Sequence, residues 1–297
     1  MLKRDFPLQF KNTDCATQLV RYHRGVQGKN RFVVKNPIPR EPNPLGLPPS
    51  FKRVYKPFDL SAKRTLVLSD VHLPYHDIAA LTAAIEVGVE AKVDCVLVNG
   101  DLLDCHTLSR FERDPEARDF AQELEASFEF WDVLRKTFPA ARLVYKLGNH
   151  DERYQRFVTA KAPELYGVEA LRFDRLLRLD TWRVEMVEDK RVIRMGRLNV
   201  LHGHEYKTGF VAPVNTARGL FLRAKACALQ GHNHQTSEHS EKTLEDKLIA
   251  TWSTGCLCDL APRYMPYNGW NHGAAIVTQS GDGFHVRNFR IRDGRVL

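Results

Sequence analysis

No run of apolar residues in this 297-residue chain is long enough to span a bilayer. The start, Met1-Leu2-Lys3-Arg4-Asp5, has no apolar stretch behind it, so the sequence predicts no secretory leader and a cytoplasmic location. Cysteine is sparse. The six residues Cys15, Cys95, Cys105, Cys227, Cys256 and Cys258 show no framework spacing, which excludes a disulfide scaffold. Cys95 borders an apolar run and reads as a small buried hydrophobe. Cys256-Leu257-Cys258 could hold a metal or be redox active, but zinc sites prefer a C-x₂₋₄-C spacing and a second pair. There is no internal repeat. The length suits one large domain or two small ones, with a substantial core.

A basic excess is missing from most of the chain. Residues 1–62 hold 12 Lys and Arg against 4 Asp and Glu, which accounts for the whole formal net charge of +8; the rest is balanced at 32 of each sign. Residues 37–58 contain Pro37, Pro39, Pro42, Pro44, Pro48, Pro49 and Pro57, a density that forbids regular helix or sheet. The expectation is therefore an appended basic, proline-rich arm over 1–62 and a folded domain over 63–297. The arm reads as a nucleic-acid-binding segment whose affinity would fall steeply with salt. Its plainer readings are a solvated tail, a docking segment for another subunit, or a belt packed back along the domain.

From Thr65 onward, strand and helix patterns alternate. Residues 66–69, 96–99 and 143–147 read as buried strands. Helices are expected over 77–91 (stripe Ile78, Leu81, Ile85, Val89), over 115–138 (stripe Phe120, Leu124, Phe128, Trp131, Leu134), over 152–160 and over 164–179. Short strands follow at 182–187, 192–195 and 198–201, then a helix at 214–226 and strands at 228–230, 236–240, 248–252, 274–277 and 284–291. A parallel half followed by a more antiparallel half suggests an α/β fold of two sheets packed face to face, with helices outside.

Polar pieces sit at the ends of these strands: Asp70-Val71-His72, Gly100-Asp101 with Asp104 behind it, Gly148-Asn149-His150-Asp151, His202-Gly203-His204 and Gly231-His232-Asn233-His234. Such residues at the carboxyl ends of successive strands point at one crevice. Two aspartates, an asparagine and several neutral histidines around two divalent cations leave about +2, which suits a hydroxide and an anionic phosphate ester. A calcium site would be built of oxygen alone. Imidazole nitrogen favours Mn, Fe, Zn or Ni over Mg, and Mn is the expected metal pair, with Fe, Zn or Ni as alternatives. Two cations can share a hydroxide, the expected nucleophile, and stabilise both oxygens of an in-line displacement.

In order, the pieces D-x-H, G-D, G-N-H-[DE], a lone His and G-H-x-H resemble the calcineurin-like metallophosphoesterase superfamily over about residues 65–234. The resemblance implies a four-layer α-β-β-α sandwich of two mixed sheets. It implies that Asp70, His72 and His234 hold one metal, that Asn149, His202 and His232 hold the other, and that Asp101 bridges them. It places His150 by the leaving group as an acid or charge stabiliser, oriented by Asp104. Asp at 104 disfavours the purple acid phosphatase branch, which keeps a tyrosine there, and Cys105-His106 disfavours the protein serine/threonine phosphatases. Residues 100–111 and the tail Cys256-Leu257-Cys258-Asp259-Leu260 are similar to phosphoesterases common in bacteriophage genomes.

Around this set, Arg110 and Arg153 could clamp a phosphate, and His204 could line the cleft or cap a turn. Asp151 and Glu152 read as charge compensation at a helix start. His76, His106 and His272 read as structural. The aromatics of residues 263–270, Tyr264, Tyr267 and Trp270, could stack a base or close a core. A phosphodiesterase or nuclease is favoured by the arm and these aromatics; a phosphomonoesterase is favoured by the neutral balance of the domain. A non-catalytic scaffold would have lost His150 or a ligand, and none is missing.

Overall fold

The structure is a computed structural model that describes residues 8–9, 12–23, 43–51, 54–110, 119–206 and 214–297. It divides into two units, Met1–Val54 and Tyr55–Leu297. In the first, helix α1 (Thr13–His23) is opened by Asn12, whose side chain accepts from Cys15 N at 2.9 Å. The proline-dense residues 43–51 form neither helix nor strand, as ring-fixed φ and missing N–H groups dictate. Much of the basic arm, including Arg24, Lys29, Arg31 and Lys35, lies outside the described residues.

The second unit runs β1 (Phe58–Asp59), β2 (Arg64–Leu68), α2 (Ile78–Glu90), β3 (Cys95–Asn99), α3 (Phe120–Thr137), β4 (Arg142–Lys146), α4 (Glu152–Lys161), α5 (Phe173–Leu176), β5 (Val184–Val187), β6 (Ile193–Met195), β7 (Leu198–Leu201), α6 (Thr216–Ala224), β8 (Ala228–Gln230), β9 (Ser237–Lys242), β10 (Leu248–Ser253), β11 (His272–Ser280), β12 (Gly283–Arg292) and β13 (Arg295–Val296). Two mixed sheets form, in the orders β13-β12-β11-β2-β3-β4-β5 and β1-β6-β7-β8-β10-β9. Among the described residues no helix is long and apolar enough to cross a membrane.

Strand periodicity builds the layers. Leu66, Leu68, Val96, Val98, Leu143 and Tyr145 face the helices and join one buried cluster with Ala84, Trp131 and Leu134. Their alternates Val67, Cys95, Leu97 and Val144 face the other sheet and meet Ile193, Met195, Leu198, Val200 and Leu229. Side chains of period two thus fill both faces of the first sheet. A third cluster, Leu201, Leu220 and Ala228, lies beneath α6 on the second sheet. The result is the α-β-β-α sandwich.

Several sequence expectations shift in register. Residues 58–60, assigned to the arm by composition, already belong to the sheet: Phe58 N donates to Val192 O at 2.8 Å and Leu60 N to Arg194 O at 2.9 Å. Asp77 caps α2 as expected, accepting from Ala80 N at 2.7 Å, but Ile78 and Val89 are exposed and the buried face is Ala80, Leu81, Ala83, Ala84, Val87 and Gly88. Small residues win that face because the helix lies close on the sheet; a Cβ on Gly88 would stand 2.8 Å from Leu66 Cδ2. Helix α3 starts at Phe120 behind an Asp119–Gln122 capping box, while residues 115–118 of the expected span lie outside the described residues. Its buried face includes Glu123 and Ser127 beside Trp131 and Leu134. The expected helix over 164–179 is instead two 3₁₀ turns and the short α5, because Pro163 starts a new turn and Gly167 sits at φ +90°. The division into a parallel and an antiparallel half also fails: β5 extends the first sheet in parallel to β4, and β11 and β12 return to it.

Candidate metal centre

Every motif follows a strand. The loops after β2, β3 and β4 carry Asp70 and His72, Asp101 and Asp104, and Asn149 and His150; those after β7 and β8 carry His202 and His204, and His232 and His234. Both sheets therefore deliver side chains to one end of the sandwich. Asp70, His72, Asp101, His232 and His234 all adopt positive φ, between 50° and 67°. Non-glycine residues held there cost about 1–3 kcal/mol each and persist where the surroundings fix them.

The carboxylates lie at the centre. Asp101 Oδ2 is 3.2 Å from His202 Nε2 and 3.9 Å from His72 Nε2. Asp70 Oδ1 is 3.2 Å from His234 Nε2 and 3.9 Å from His202 Nε2. Asn149 Oδ1 is 3.2 Å from His202 Nε2, and the His202 and His232 ring centroids are 5.2 Å apart. Three groups have donor atoms within 4.8 Å of one another: His72, Asp101 and His150; Asp101, His202 and His232; and His72, His234 and Cys258. The seven expected ligands thus converge.

Hydrogen bonds aim them. His202 Nδ1 donates to Asn99 O at 2.8 Å, and His72 Nδ1 donates to Asp104 Oδ1 at 3.1 Å. Each bond fixes a tautomer and turns Nε2 inward. His72 Nε2 is buried with no hydrogen-bond partner, and buried Asp70 Oδ1 faces imidazole nitrogens, His234 Nε2 at 3.2 Å and His202 Nε2 at 3.9 Å. A buried polar atom without a partner is costly, and a cation would satisfy His72 Nε2. The donor set of imidazoles, carboxylates and one amide therefore fits divalent metals.

The charges agree. Burial opposes ionisation of Asp70 and Asp101, yet the surrounding imidazoles hold both carboxyls below their usual range, with His234 foremost at Asp70 and His202 foremost at Asp101. Burial likewise opposes protonation of His202 and His234, but Asp101 and Asp70 respectively push these imidazoles up to about 10. His232 is lowered to about 4 by burial and by His202. The pocket attracts positive charge.

His150 stands at the edge. Its Nδ1 donates to Asp104 Oδ1 and to Asp104 O, both at 2.9 Å. Its Nε2 accepts from Arg153 Nη2 at 3.1 Å, while Arg153 Nη1 donates to Asp104 O at 2.9 Å. The ring stands edge-on to His72, with centroids 4.5 Å apart. Asp104 therefore touches both the expected ligand His72 and the expected catalytic His150.

Two hollows flank the site. A cavity of about 280 Å³ is lined by His72, Asp104, Cys258, Tyr75, Tyr264 and Trp270, among others. A groove of about 670 Å³ is lined by Asn149, Arg110, Arg153, Arg156 and Lys161, among others. Arg110 and Arg153 are thus brought to the site. His204 is not placed in either hollow; its Nε2 lies 3.1 Å from Glu152 Oε1 and its side chain is buried behind His202. His272 is structural, donating from Nε2 to Cys258 O at 2.9 Å.

Three acidic residues have roles that the sequence reading missed. Asp151 does not cap α4. It is buried and accepts from Asp101 N and Gly148 N, both at 2.8 Å, and from Leu103 N at 3.1 Å, tying two motif loops together. Burial and Asp101 push its carboxyl up to about 6. Glu205 accepts from His202 N at 3.0 Å and Gly203 N at 2.7 Å and pairs with buried Lys146 Nζ at 2.8 Å. Burial opposes its charge, but Lys146 lowers the carboxyl to about 2. The lysine inside the apolar strand run Leu143-Val144-Tyr145-Lys146 was the available signal, since a buried lysine needs a partner. Glu123 accepts from Cys105 N at 2.6 Å beneath the Asp104 loop.

The model of the calcineurin-like phosphoesterases matches residues 63–260, two thirds of the chain. The Gene 54 protein of Mycobacterium phage L5 is 27% identical over 240 residues, covering 76% of this chain and 92% of that protein. The Gene 54 protein of Mycobacterium phage D29 is 26% identical over 181 residues, covering 59% and 70%. Among solved structures, Vacuolar Protein Sorting 29 from Cryptosporidium parvum aligns with a TM-score of 0.41 at 14% identity, over 80% of this chain and 95% of that one. Yfce, a phosphoesterase from E. coli, aligns with a TM-score of 0.37 at 14% identity, over 72% and 87%. With its five motifs in order and the family model spanning most of the folded unit, the chain belongs to the calcineurin-like phosphoesterase family.

Proposed function

We propose that this chain hydrolyses phosphodiesters at a two-metal centre. The observation that carries the reading is the convergence, from both sheets, of Asp70, His72, Asp101, Asn149, His202, His232 and His234, with His72 Nε2 buried and without a hydrogen-bond partner at its centre. Asp70, His72 and His234 would hold one cation, Asn149, His202 and His232 the other, with Asp101 shared and Mn(II) as the first choice. Such cations lower the pKa of a water toward neutrality and polarise phosphoryl oxygens.

The chain's own residues do the rest. Asp104 holds the His150 imidazole by Nδ1 and leaves Nε2 to face the ester. Arg153 occupies that Nε2. An anionic ester that draws the guanidinium to itself frees Nε2 to hold a proton at the leaving oxygen. Arg110 and Arg153 bind the phosphate-bearing arm in the basic groove. The aromatic cavity, which shares no lining residue with that groove, accepts the second ester arm, with Trp270 standing edge-on to His234 at 4.1 Å between centroids. Two hollows suit a diester, whose phosphorus carries two organic arms; a monoester carries one. The basic arm of residues 1–62 would hold nucleic acid by charge.

The test compares bis(p-nitrophenyl) phosphate with p-nitrophenyl phosphate after chelator treatment and reloading with Mn(II). Faster diester turnover is expected. Predominant monoester turnover overturns the diester reading. No turnover of either ester at two bound metals per chain makes the protein a non-catalytic scaffold.

A further inference from the structure

Cys258 faces the centre from outside the motif set. Its side chain is buried, and its sulfur lies with the ligand atoms of His72 and His234 in a group whose members are all within 4.8 Å of one another. The backbone fixes it there. Leu257 N donates to Asp70 O at 3.0 Å, Asp259 N donates to Tyr75 O at 2.8 Å, and His272 Nε2 donates to Cys258 O. The segment is thus laced onto the loop that carries Asp70 and His72.

His234 differs from the other inward imidazoles. His72 and His202 anchor Nδ1 on a carboxylate and a carbonyl, whereas His234 turns Nδ1 to Cys258 Sγ at 4.0 Å. With metal–nitrogen bonds of about 2.0–2.1 Å and metal–sulfur bonds of about 2.3 Å, two donors on one cation stand about 3.5–4 Å apart. A sulfur that only oriented His234 need not also face His72, whose Nε2 is buried and unpartnered.

We propose that Cys258 is a ligand of the cation held by His72 and His234. The proposal rests on the metal-centre reading above and adds a donor to it. Coordination replaces the S–H bond by a sulfur–metal bond and releases that proton to solvent. A thiolate removes one unit of the roughly +2 charge left in the cage, and its softness turns this half toward zinc or ferrous iron rather than manganese. The two halves would then differ in metal preference. Cys256 is the rival thiol. It lies two residues away, and its Sγ donates to Asn271 O at 3.7 Å. The experiment therefore separates the two sulfurs.

Reduced full-length protein is titrated with Co(II) under argon, with bound cobalt measured by equilibrium dialysis. A sulfur-to-cobalt charge-transfer band in the near ultraviolet is expected in the wild type and in Cys256→Ser, and its loss is expected in Cys258→Ser. Cobalt bound without the band, or a band that survives Cys258→Ser and disappears in Cys256→Ser, overturns the assignment and leaves the phosphoesterase reading standing. Failure to bind cobalt at all overturns both. X-ray absorption of the zinc-loaded wild type gives an answer that needs no Cys258 variant to fold. Sulfur at about 2.3 Å is expected, and a shell of nitrogen and oxygen alone overturns the proposal.

Discussion

Asp104 is the residue on which two imidazoles depend. One carboxylate oxygen accepts from His72 Nδ1 and from His150 Nδ1, so it fixes the tautomer of the proposed metal ligand and of the proposed leaving-group acid together. Asp104→Asn should lower metal affinity and turnover, each by about 10–100-fold. His150→Ala should lower turnover by about 10²–10⁴-fold and leave metal stoichiometry unchanged. Metal titration beside steady-state kinetics distinguishes them; wild-type metal affinity in Asp104→Asn would show that His72 needs no carboxylate behind it. Gly148 acts at the same scale. A Cβ there would overlap Asp101 Oδ1 and Asp101 N. Gly148→Ala should therefore displace Asp101 and cost the protein at least one bound cation while far-ultraviolet circular dichroism keeps its shape. Two cations retained by the variant would contradict this. The glycine was visible in the motif. The carboxylate pressed against it was not, because that contact joins residues 47 positions apart.

Strands were more legible than helix faces. A strand's inside and outside follow from strict alternation, so Leu66, Val67 and Leu68 sort themselves between the two clusters without further information. A helix can rotate to bury whichever stripe its neighbours fit. In α2 the sheet accepts the small residues, and the larger Ile78 and Val89 turn outward. In α3 the same rotation carries Glu123 into the core. Burial, aided by Asp104, pushes its carboxyl up to about 8. This native-state carboxyl keeps a proton that the unfolded chain releases above about pH 4.5. The sign follows: stability falls as pH rises from there to about 8 and then levels off. Glu123→Gln keeps an acceptor for Cys105 N and removes the titration. Relative to the wild type it should gain about 1–4 kcal/mol between pH 5 and pH 8. Urea denaturation at the two pH values reads the difference; an equal gap at both would refute it.

At the scale of the molecule, the donors were legible because a polar residue at a strand's carboxyl end points to the same crevice whichever sheet the strand joins. Sheet membership was not. A four-residue strand such as β5 carries no mark of its partner, and β11 and β12 return to the first sheet across the whole length of the second. Composition marks a basic arm over residues 1–62, and within that span β1 at Phe58–Asp59 pairs with β6. That pairing decides where a truncation belongs. Removing residues 1–54 takes away 11 Lys and Arg and 3 Asp and Glu, the full formal excess of +8, and leaves β1 in place. If the arm holds duplex DNA through its 11 Lys and Arg, the full chain should bind with log K falling against log salt at a slope no steeper than about −10. The chain beginning at Tyr55 should lose this salt-dependent binding and still turn over a small diester at the wild-type rate. The residues that line the two hollows proposed to take a diester's arms all lie beyond Val54. Truncation that leaves DNA binding intact would move the nucleic-acid contact to the groove of Arg110, Arg153, Arg156 and Lys161, and a flat salt dependence would remove nucleic acid as the arm's partner.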